Sequence, residues 1–252
     1  MTAILCWIIE EIPMNYAVIF AGGTGTRMNA RTCPKQFLKL HDKEIIVYTL
    51  EHFERHPEID GISVVCIAEW IDYLKVLLDK YRLKKVKWIS AGGSTGQESI
   101  YKGLNAMRED IEEDSIVLIH DGVRPLIDAE LISDNIQVAK TKGCAITVVP
   151  AIETIMLVND EGQIVQNVDR SRCRVVRAPQ SFVYKDIMKV HDNARLEGIN
   201  DIVDSATMMT RAGFKLYPVT GKPENIKITT PSDYYTFRAI VEAKENSQIF
   251  GI

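Results

Sequence analysis

The chain predicts an α/β protein built on a mainly parallel, helix-covered sheet, and three observations carry that prediction. Short apolar runs alternate with segments of helical spacing through the first 150 residues or so. Four of the five apolar runs are rich in β-branched residues, which favours strand over short helix. Strand–helix alternation makes successive strands parallel, and parallel sheets are covered by their crossover helices.

In chain order, strands are predicted at residues 16–20 (YAVIF), 62–68 (ISVVCIA), 86–90, 115–120 (SIVLIH) and 145–149 (AITVV). Helices are predicted at 45–55, 69–81, 97–108 and 129–140, where apolar positions recur at helical spacing. The second half breaks this rhythm. Residues 153–158 and 163–169 flank Asn159-Asp160-Glu161-Gly162, which has turn chemistry, and they read as a β-hairpin. Folding about that turn brings Thr154 and Arg170 close to each other near the open end. A lone two-stranded ribbon is marginal in water, so this arm, at about 151–172, packs on its own domain or reaches a neighbouring subunit. Near the C-terminus a short apolar strand through Ile226 and Ile228 joins a helix opened near Pro231. No repeat, linker or long charge run divides the chain, so residues 14–245 read as one domain with an arm.

Composition excludes several function classes. The 252 residues carry 30 Lys plus Arg against 34 Asp plus Glu, a net charge of −4, and 46% are hydrophobic, as in ordinary globular proteins. A sequence pI near 5.8 gives no broad basic field for nucleic acid. The five cysteines (Cys6, Cys33, Cys66, Cys144, Cys173) are odd in number and widely spaced, with no C-x-x-C. Neither a disulfide framework nor a zinc site is suggested, and a reducing, cytoplasmic setting fits best. Cys66 and Cys144 sit inside apolar runs and read as core thiols. Residues 1–13 are apolar but lack Lys and Arg, and their run at 4–9 is too short for a signal core or a membrane span. They read as a start-site extension outside the domain, since Met14 directly precedes the first strand.

In parallel α/β sheets, ligands sit beyond the C-terminal ends of the strands. The first strand ends in Ala21-Gly22-Gly23-Thr24-Gly25-Thr26-Arg27-Met28. Glycines there let backbone N–H groups approach an anion closely. The spacing is not that of a P-loop, and Met28 replaces the third glycine of a dinucleotide fingerprint. A plain glycine-rich turn is the alternative, but Arg27 and then Pro34-Lys35-Gln36-Phe37 add two cations beside the cradle, which fits a polyphosphate better. After the third strand, Gly92-Gly93-Ser94-Thr95-Gly96-Gln97-Glu98-Ser99 offers a second cradle, where a nucleobase can lie against backbone and Ser99 can meet its edge. Ser94 with Gln97 has capping-box spacing, so Ser94 reads equally well as a helix cap. The fourth strand ends in His120-Asp121-Gly122-Val123-Arg124-Pro125. Asp121 is placed to face a ligand and can assist a metal ion or a hydroxyl, Arg124 to lock Asp121 or its loop, and His120 to pack or hydrogen-bond at the strand edge. Lys227, in NIKITTP, reads either as a solvent-facing lysine or as a third positive charge in the site.

Taken in order, AGGTGTRM, PKQF, GG…ES, HDGVRP, VDR, PQSF and NIKITTP span residues 16–240. The set resembles the cytidylyltransferases that act on polyol phosphates, which include the 2-C-methyl-D-erythritol 4-phosphate and ribitol-5-phosphate enzymes. The resemblance implies a Rossmann-like nucleotidyltransferase fold, a homodimer made by an extended β-hairpin dimerisation arm, CTP and Mg²⁺ as reactants, and pyrophosphate as by-product. It implies catalytic roles for Arg27, Lys35 and Lys227, with Arg27 and Lys35 on the triphosphate and Lys227 bridging the two reactants. Ala21, Gly22, Gly23, Gly93 and Ser99 would line the cytidine. Asp121 would sit near metal, ribose or polyol, and Thr154 and Arg170 would bind the polyol phosphate across the dimer. The attacking group is a phosphate monoester with a second pKa of about 6, already largely dianionic at neutral pH, so no general base is needed. A cationic lattice instead offsets the repulsion between two anions.

Two positions depart from the family pattern. Gly96 stands where relatives usually carry Arg, and Ala178 where they usually carry the Thr of TPQ, which removes a hydroxyl near the polyol. HDGVRP leans toward the ribitol branch and NVDRS toward the methylerythritol branch. The competing readings are a nucleotidyltransferase for another sugar phosphate and a nucleotide-binding regulator without turnover. No partner surface for nucleic acid or membrane is expected.

Overall fold

The computed structural model describes residues 13–23 and 33–250. The expected N-terminal extension up to residue 12, and Gly25 and Arg27 of the first glycine loop, lie outside the described residues.

The elements follow the expected alternation through the first half: β1 (Asn15–Ala21), a small hairpin of β2 (Lys39–Leu40) and β3 (Lys43–Glu44), α1 (Ile45–Arg55), β4 (Gly61–Cys66), α2 (Ile71–Tyr81), β5 (Val86–Ala91), α3 (Gly96–Asn105), β6 (Ile116–Asp121), α4 (Ala129–Lys142) and β7 (Cys144–Pro150). The arm, β8 (Ile155–Val158) and β9 (Ile164–Val168), comes next. Then follow β10 (Arg174–Val183), α5 (Tyr184–Leu196), α6 (Ser205–Arg211), β11 (Pro218–Thr220) and α7 (Pro231–Phe250).

Seven strands form one sheet in the order β11-β7-β10-β6-β1-β4-β5. β1 pairs in parallel with β4 and β6, β4 with β5, and β11 with β7. β10 alone runs against its neighbours, antiparallel to both β6 and β7. The mainly parallel sheet is therefore present, with one strand inserted the other way.

The apolar character of YAVIF follows from burial on both faces. Ala17 and Ile19 join the layer with α1, α2 and α4, whereas Tyr16 and Val18 face α3, α5 and α6. α3 lies close on the sheet because Gly103 has no side chain. A Cβ there would stand 2.7 Å from Val18 Cγ1 and 2.7 Å from Val65 Cγ2. The Gly103 carbonyl accepts a hydrogen bond from Ser63 Oγ at 2.9 Å, which fixes that close approach. Cys66 and Cys144 are buried in this core, as expected.

Three boundaries differ from expectation. The helix expected from 69 opens as a 3₁₀ turn at Ala68–Trp70 and becomes α-helical at Ile71. The helix expected at 97–108 ends at Asn105. The strand expected through Ile226 and Ile228 is an irregular segment crossing the end of the sheet, tied down by Ile228 N–H donating to Val123 O at 2.9 Å rather than by a ladder. Ile228 packs there with Leu40, Ile45, Val123 and Phe237, which seats α7 over this end of the molecule.

The arm has the expected hairpin form. Asn159 Oδ1 accepts from the backbone N–H groups of Glu161 and Gln163, at 3.2 and 2.9 Å, and Gly162 takes φ +81, a conformation that suits glycine. The ribbon is apolar yet exposed: Ile164 and Val165, adjacent and so on opposite faces, are 69% and 59% accessible. Among the described residues, no helix is long and apolar enough to cross a membrane.

Candidate active site

The two glycine loops meet although their strands are not neighbours. The loop after β5 crosses the end of β4, where Gly92 N–H donates to Cys66 O at 2.7 Å, and arrives against the loop after β1. A Cβ on Gly92 would stand 3.0 Å from Gly22 Cα, and one on Gly22 would stand 3.1 Å from Ser99 Oγ. These glycines let the loops touch backbone to backbone. Gly93 is equally confined, since a Cβ would fall 2.5 Å from Glu98 side-chain carbons. The Ser99 hydroxyl donates to Thr95 O at 2.9 Å and accepts from Gly93 N–H at 3.0 Å, so it braces this loop. The helix cap is Thr95, not Ser94. Thr95 Oγ1 accepts from Glu98 N–H at 3.1 Å, while the Glu98 carboxylate receives both the N–H and the hydroxyl of Ser94. Gln97 therefore plays no part in the cap. It is buried, donating to Ile199 O and accepting from Ile202 N–H.

Lys35 stands on a 3₁₀ turn, Lys35–Phe37, docked beneath the first loop. The dock is Gln36, almost wholly buried, whose Nε2 donates to Ala21 O at 2.6 Å and Gly23 O at 3.3 Å.

At the end of β6, Asp121 is held between two cations. Lys227 Nζ lies 2.6 Å from Oδ1, and Arg124 Nε lies 3.1 Å from Oδ2. Burial pushes the Asp121 carboxyl up, but Lys227 and Arg124 together overcome it and take the pKa down to about 2. Arg124 has the locking role expected of it: Nη1 donates to Asn225 O at 2.7 Å, and Asn225 Nδ2 reaches Ala178 O at 2.8 Å. The NIK segment is thus pinned to the loop after β6 and to β10 at once, which places Lys227. Its Nζ also lies 5.8 Å from the Phe20 ring centroid. His120 is not at an edge but fully buried within β6, with Nε2 3.1 Å from Arg124 O. Burial drives its pKa down to about 3, so the ring stays neutral at working pH.

Beside this cluster lies a cavity of about 260 Å³, lined among others by Phe20, Asp121, Arg124, Arg177, His191 and Lys227. Arg177 and Ala178 enter its wall where the β10–β7 register shifts between Val176 and Gln180. Thr154 and Arg170 are not lining residues. Ile155 pairs with Val168, which leaves both at the open end of the arm, exposed, with Arg170 Nη1 donating to Ile152 O at 2.7 Å. The structure thus joins Ala21, Gly22, Gly23, Gly93, Ser99, Asp121 and Lys227 at one end of the sheet, with Lys35 alongside, and leaves the arm pair apart.

Comparisons with known proteins give the family. The family model described as 2-C-methyl-D-erythritol 4-phosphate cytidylyltransferase matches residues 15–243. The chain belongs to that family. It is 51% identical over 238 residues to a ribitol-5-phosphate cytidylyltransferase of Vibrio parahaemolyticus, covering 94% of this chain and 100% of that protein. It is 38% identical to a 2-C-methyl-D-erythritol 4-phosphate cytidylyltransferase of Clostridium acetobutylicum, covering 93% and 99%. The crystal structure of 4-diphosphocytidyl-2C-methyl-D-erythritol synthase from Anaerococcus prevotii superposes with a TM-score of 0.79 at 25% identity, over 91% of this chain and 96% of that one. The expected nucleotidyltransferase fold is therefore present.

For this cytidylyltransferase family member, the donor set does not fit a protein-held Mg²⁺. Among the described residues no group of three His, Cys, Asp or Glu side chains could hold a metal, and both Asp121 oxygens already face cations. Sequence reasoning also missed three residues of the site. Gln36 and Asn225 lie inside motifs whose lysines drew the attention, and Arg177 precedes a motif whose Pro179 conceals a strand.

His191 makes one consequence measurable. It is 1% exposed, and burial lowers its pKa to about 4, the Asp192 charge opposing and the Arg195 charge adding to that shift. Above pH 6.5 the ring is neutral folded or unfolded. Below it the unfolded chain takes the proton first, so stability falls as pH drops toward 4. The full loss is about 3 kcal/mol, and His191→Phe is expected to flatten the melting temperature's pH slope across that window. An unchanged slope would place the proton uptake elsewhere.

Proposed function

We propose that this chain transfers CMP from CTP to D-ribitol 5-phosphate, releasing pyrophosphate. The observation that carries the reading is the Lys227–Asp121–Arg124 cluster facing a cavity beside two touching glycine loops. The relative at 51% identity bears the ribitol name and the methylerythritol relative stands at 38%, which supports ribitol 5-phosphate as acceptor.

In this reaction an oxygen of the acceptor's phosphate attacks the α-phosphorus of CTP. A P–O bond forms, the bond to the β-phosphate breaks, and its electron pair leaves with pyrophosphate. The glycine-loop N–H groups and Lys35, with Arg27, hold the nucleotide. Lys227 lies between the reactants, held in place by Asp121. The neutral, buried His120 is not needed as a base, because the attacking phosphate is already dianionic. Mg²⁺ enters as part of the substrate, on the triphosphate, which suits an ion that keeps most of its ligands from water and phosphate.

The arm completes the site from a second copy. Its exposed apolar faces favour burial in a subunit interface, and Thr154 and Arg170 then reach the partner's acceptor. Light scattering of the full chain is expected to give twice the 28.4 kDa of one copy, and Ile164→Asp to shift it toward a monomer. A monomeric wild type that turns over at full rate would refute the shared site. The free thiols at Cys33, Cys66, Cys144 and Cys173 fit a reducing cytoplasm.

The test of the reaction itself is pyrophosphate release with CTP and either D-ribitol 5-phosphate or 2-C-methyl-D-erythritol 4-phosphate, run in parallel. A higher kcat/KM with ribitol 5-phosphate supports the proposal, and the reverse order replaces the acceptor. Release with neither, whatever the nucleotide, refutes cytidylyl transfer.

A further inference from the structure

Among the described residues, Arg177 is a cation with no salt bridge. Its Nε is buried without a hydrogen-bond partner among the described residues, and it lines the same cavity as Asp121 and Lys227. Burial first, and the Arg124 charge second, lower its pKa from the ordinary arginine value, so the folded protein holds this charge at a cost. The carboxylates on the cavity wall are engaged elsewhere. Asp121 faces Lys227 and Arg124, and Asp204 Oδ1 caps α6 by accepting from Thr207 N–H at 2.7 Å. The orientation of Arg177 is set by the break in β10. Between Val176 and Gln180 the ladder to β7 shifts register, and an irregularity of that kind re-aims side chains beside active sites. Ala178, next to it on the wall, offers no polar atom of its own side chain.

We propose that Arg177 binds the phosphate group of the acceptor, fixing which end of the polyol faces CTP. This rests on the cytidylyl-transfer reading given above. A half-buried cation without a salt bridge is relieved by an anion more than by a neutral hydroxyl, and phosphate is the one anionic group on a polyol phosphate. Phe20, Gly96 and Gln97 bring this cavity up to the glycine loops, so an acceptor held in it lies beside the proposed nucleotide site. A phosphate monoester has three non-ester oxygens. Arg177 and Lys227 can each hold one, leaving the third to attack.

In the full chain, Arg177→Leu is expected to raise KM for D-ribitol 5-phosphate about 10- to 100-fold while KM for CTP stays within about twofold. Arg177→Lys should recover part of the loss. Calorimetric titration with inorganic phosphate reads the same contact without turnover, and Arg177→Leu should weaken that binding about tenfold or more. The variant's melting temperature without ligand should equal or exceed that of the wild type, since a repelled charge has gone. Unchanged acceptor KM and unchanged phosphate binding overturn the proposal, as does a rise confined to KM for CTP, which would assign Arg177 to the triphosphate. An acceptor KM that rises while phosphate binding is unaltered places the guanidinium on the hydroxyls and also overturns it. Should wild type release no pyrophosphate with either acceptor, the reaction reading falls, yet the phosphate titration still decides Arg177.

Discussion

Lys227→Ala is expected to lower kcat at least about 100-fold, a loss of roughly 3–4 kcal/mol by comparison with removal of an oxyanion-hole donor. Two anions must meet for reaction, and each fixed cation between them stabilises charge that grows on the α-phosphate. Lys227 is fixed to an unusual degree: Asp121 lies 2.6 Å from its Nζ, and the flanking backbone is tied through Asn225 and Ile228. Lys35→Ala should lose as much, since Gln36 docks that turn under the first loop. Steady-state kinetics with saturating CTP and acceptor give the measure. A kcat within tenfold of wild type for either variant would remove that lysine from the proposed mechanism.

Gly103→Val should produce the largest loss of stability without touching the chemistry. Its Cβ would already stand 2.7 Å from two valine methyls on β1 and β4, and the added methyls have no open side to turn to. Overpacking costs about 1–3 kcal/mol and occasionally more, which in a chain of this size corresponds to a melting temperature lower by roughly 2–12 °C. Gly103→Ala should be milder, because the gain in helix propensity of about 1 kcal/mol offsets part of the clash. A Val variant as stable as wild type would mean that α3 can lift off the sheet freely.

The first half of the fold was legible because its strands are buried on both faces and its helices on one, which leaves two distinct periods in the sequence. β10 was not legible. Pro179 and two arginines break any strand pattern across Arg174–Val183, and only the ladders to β6 and β7 reveal the strand. Within the site, glycines, Asp121 and Lys227 stood at strand ends or in motifs and could be named. The tasks of Gln36, Asn225 and Ser99 could not, since each depends on a backbone carbonyl or N–H that folding brings within reach. His120 has the packing and hydrogen-bonding role expected of it, with the Arg124 carbonyl meeting one ring nitrogen, but it lies deep inside rather than at an edge.

The single reversed strand divides the enzyme's capacity to change. β1, β4 and β5 and their two interlocked glycine loops tolerate little, because a methyl group on Gly92 would press one loop's backbone into the other. The opposite wall, carrying Arg177 and Ala178, belongs to β10 at a stretch already outside its ladder to β7. Substitutions there leave the parallel pairings intact. If the wall on β10 meets the acceptor as proposed, a lineage can exchange one acceptor for another by small steps on one strand while the interlocked glycine loops stay constant.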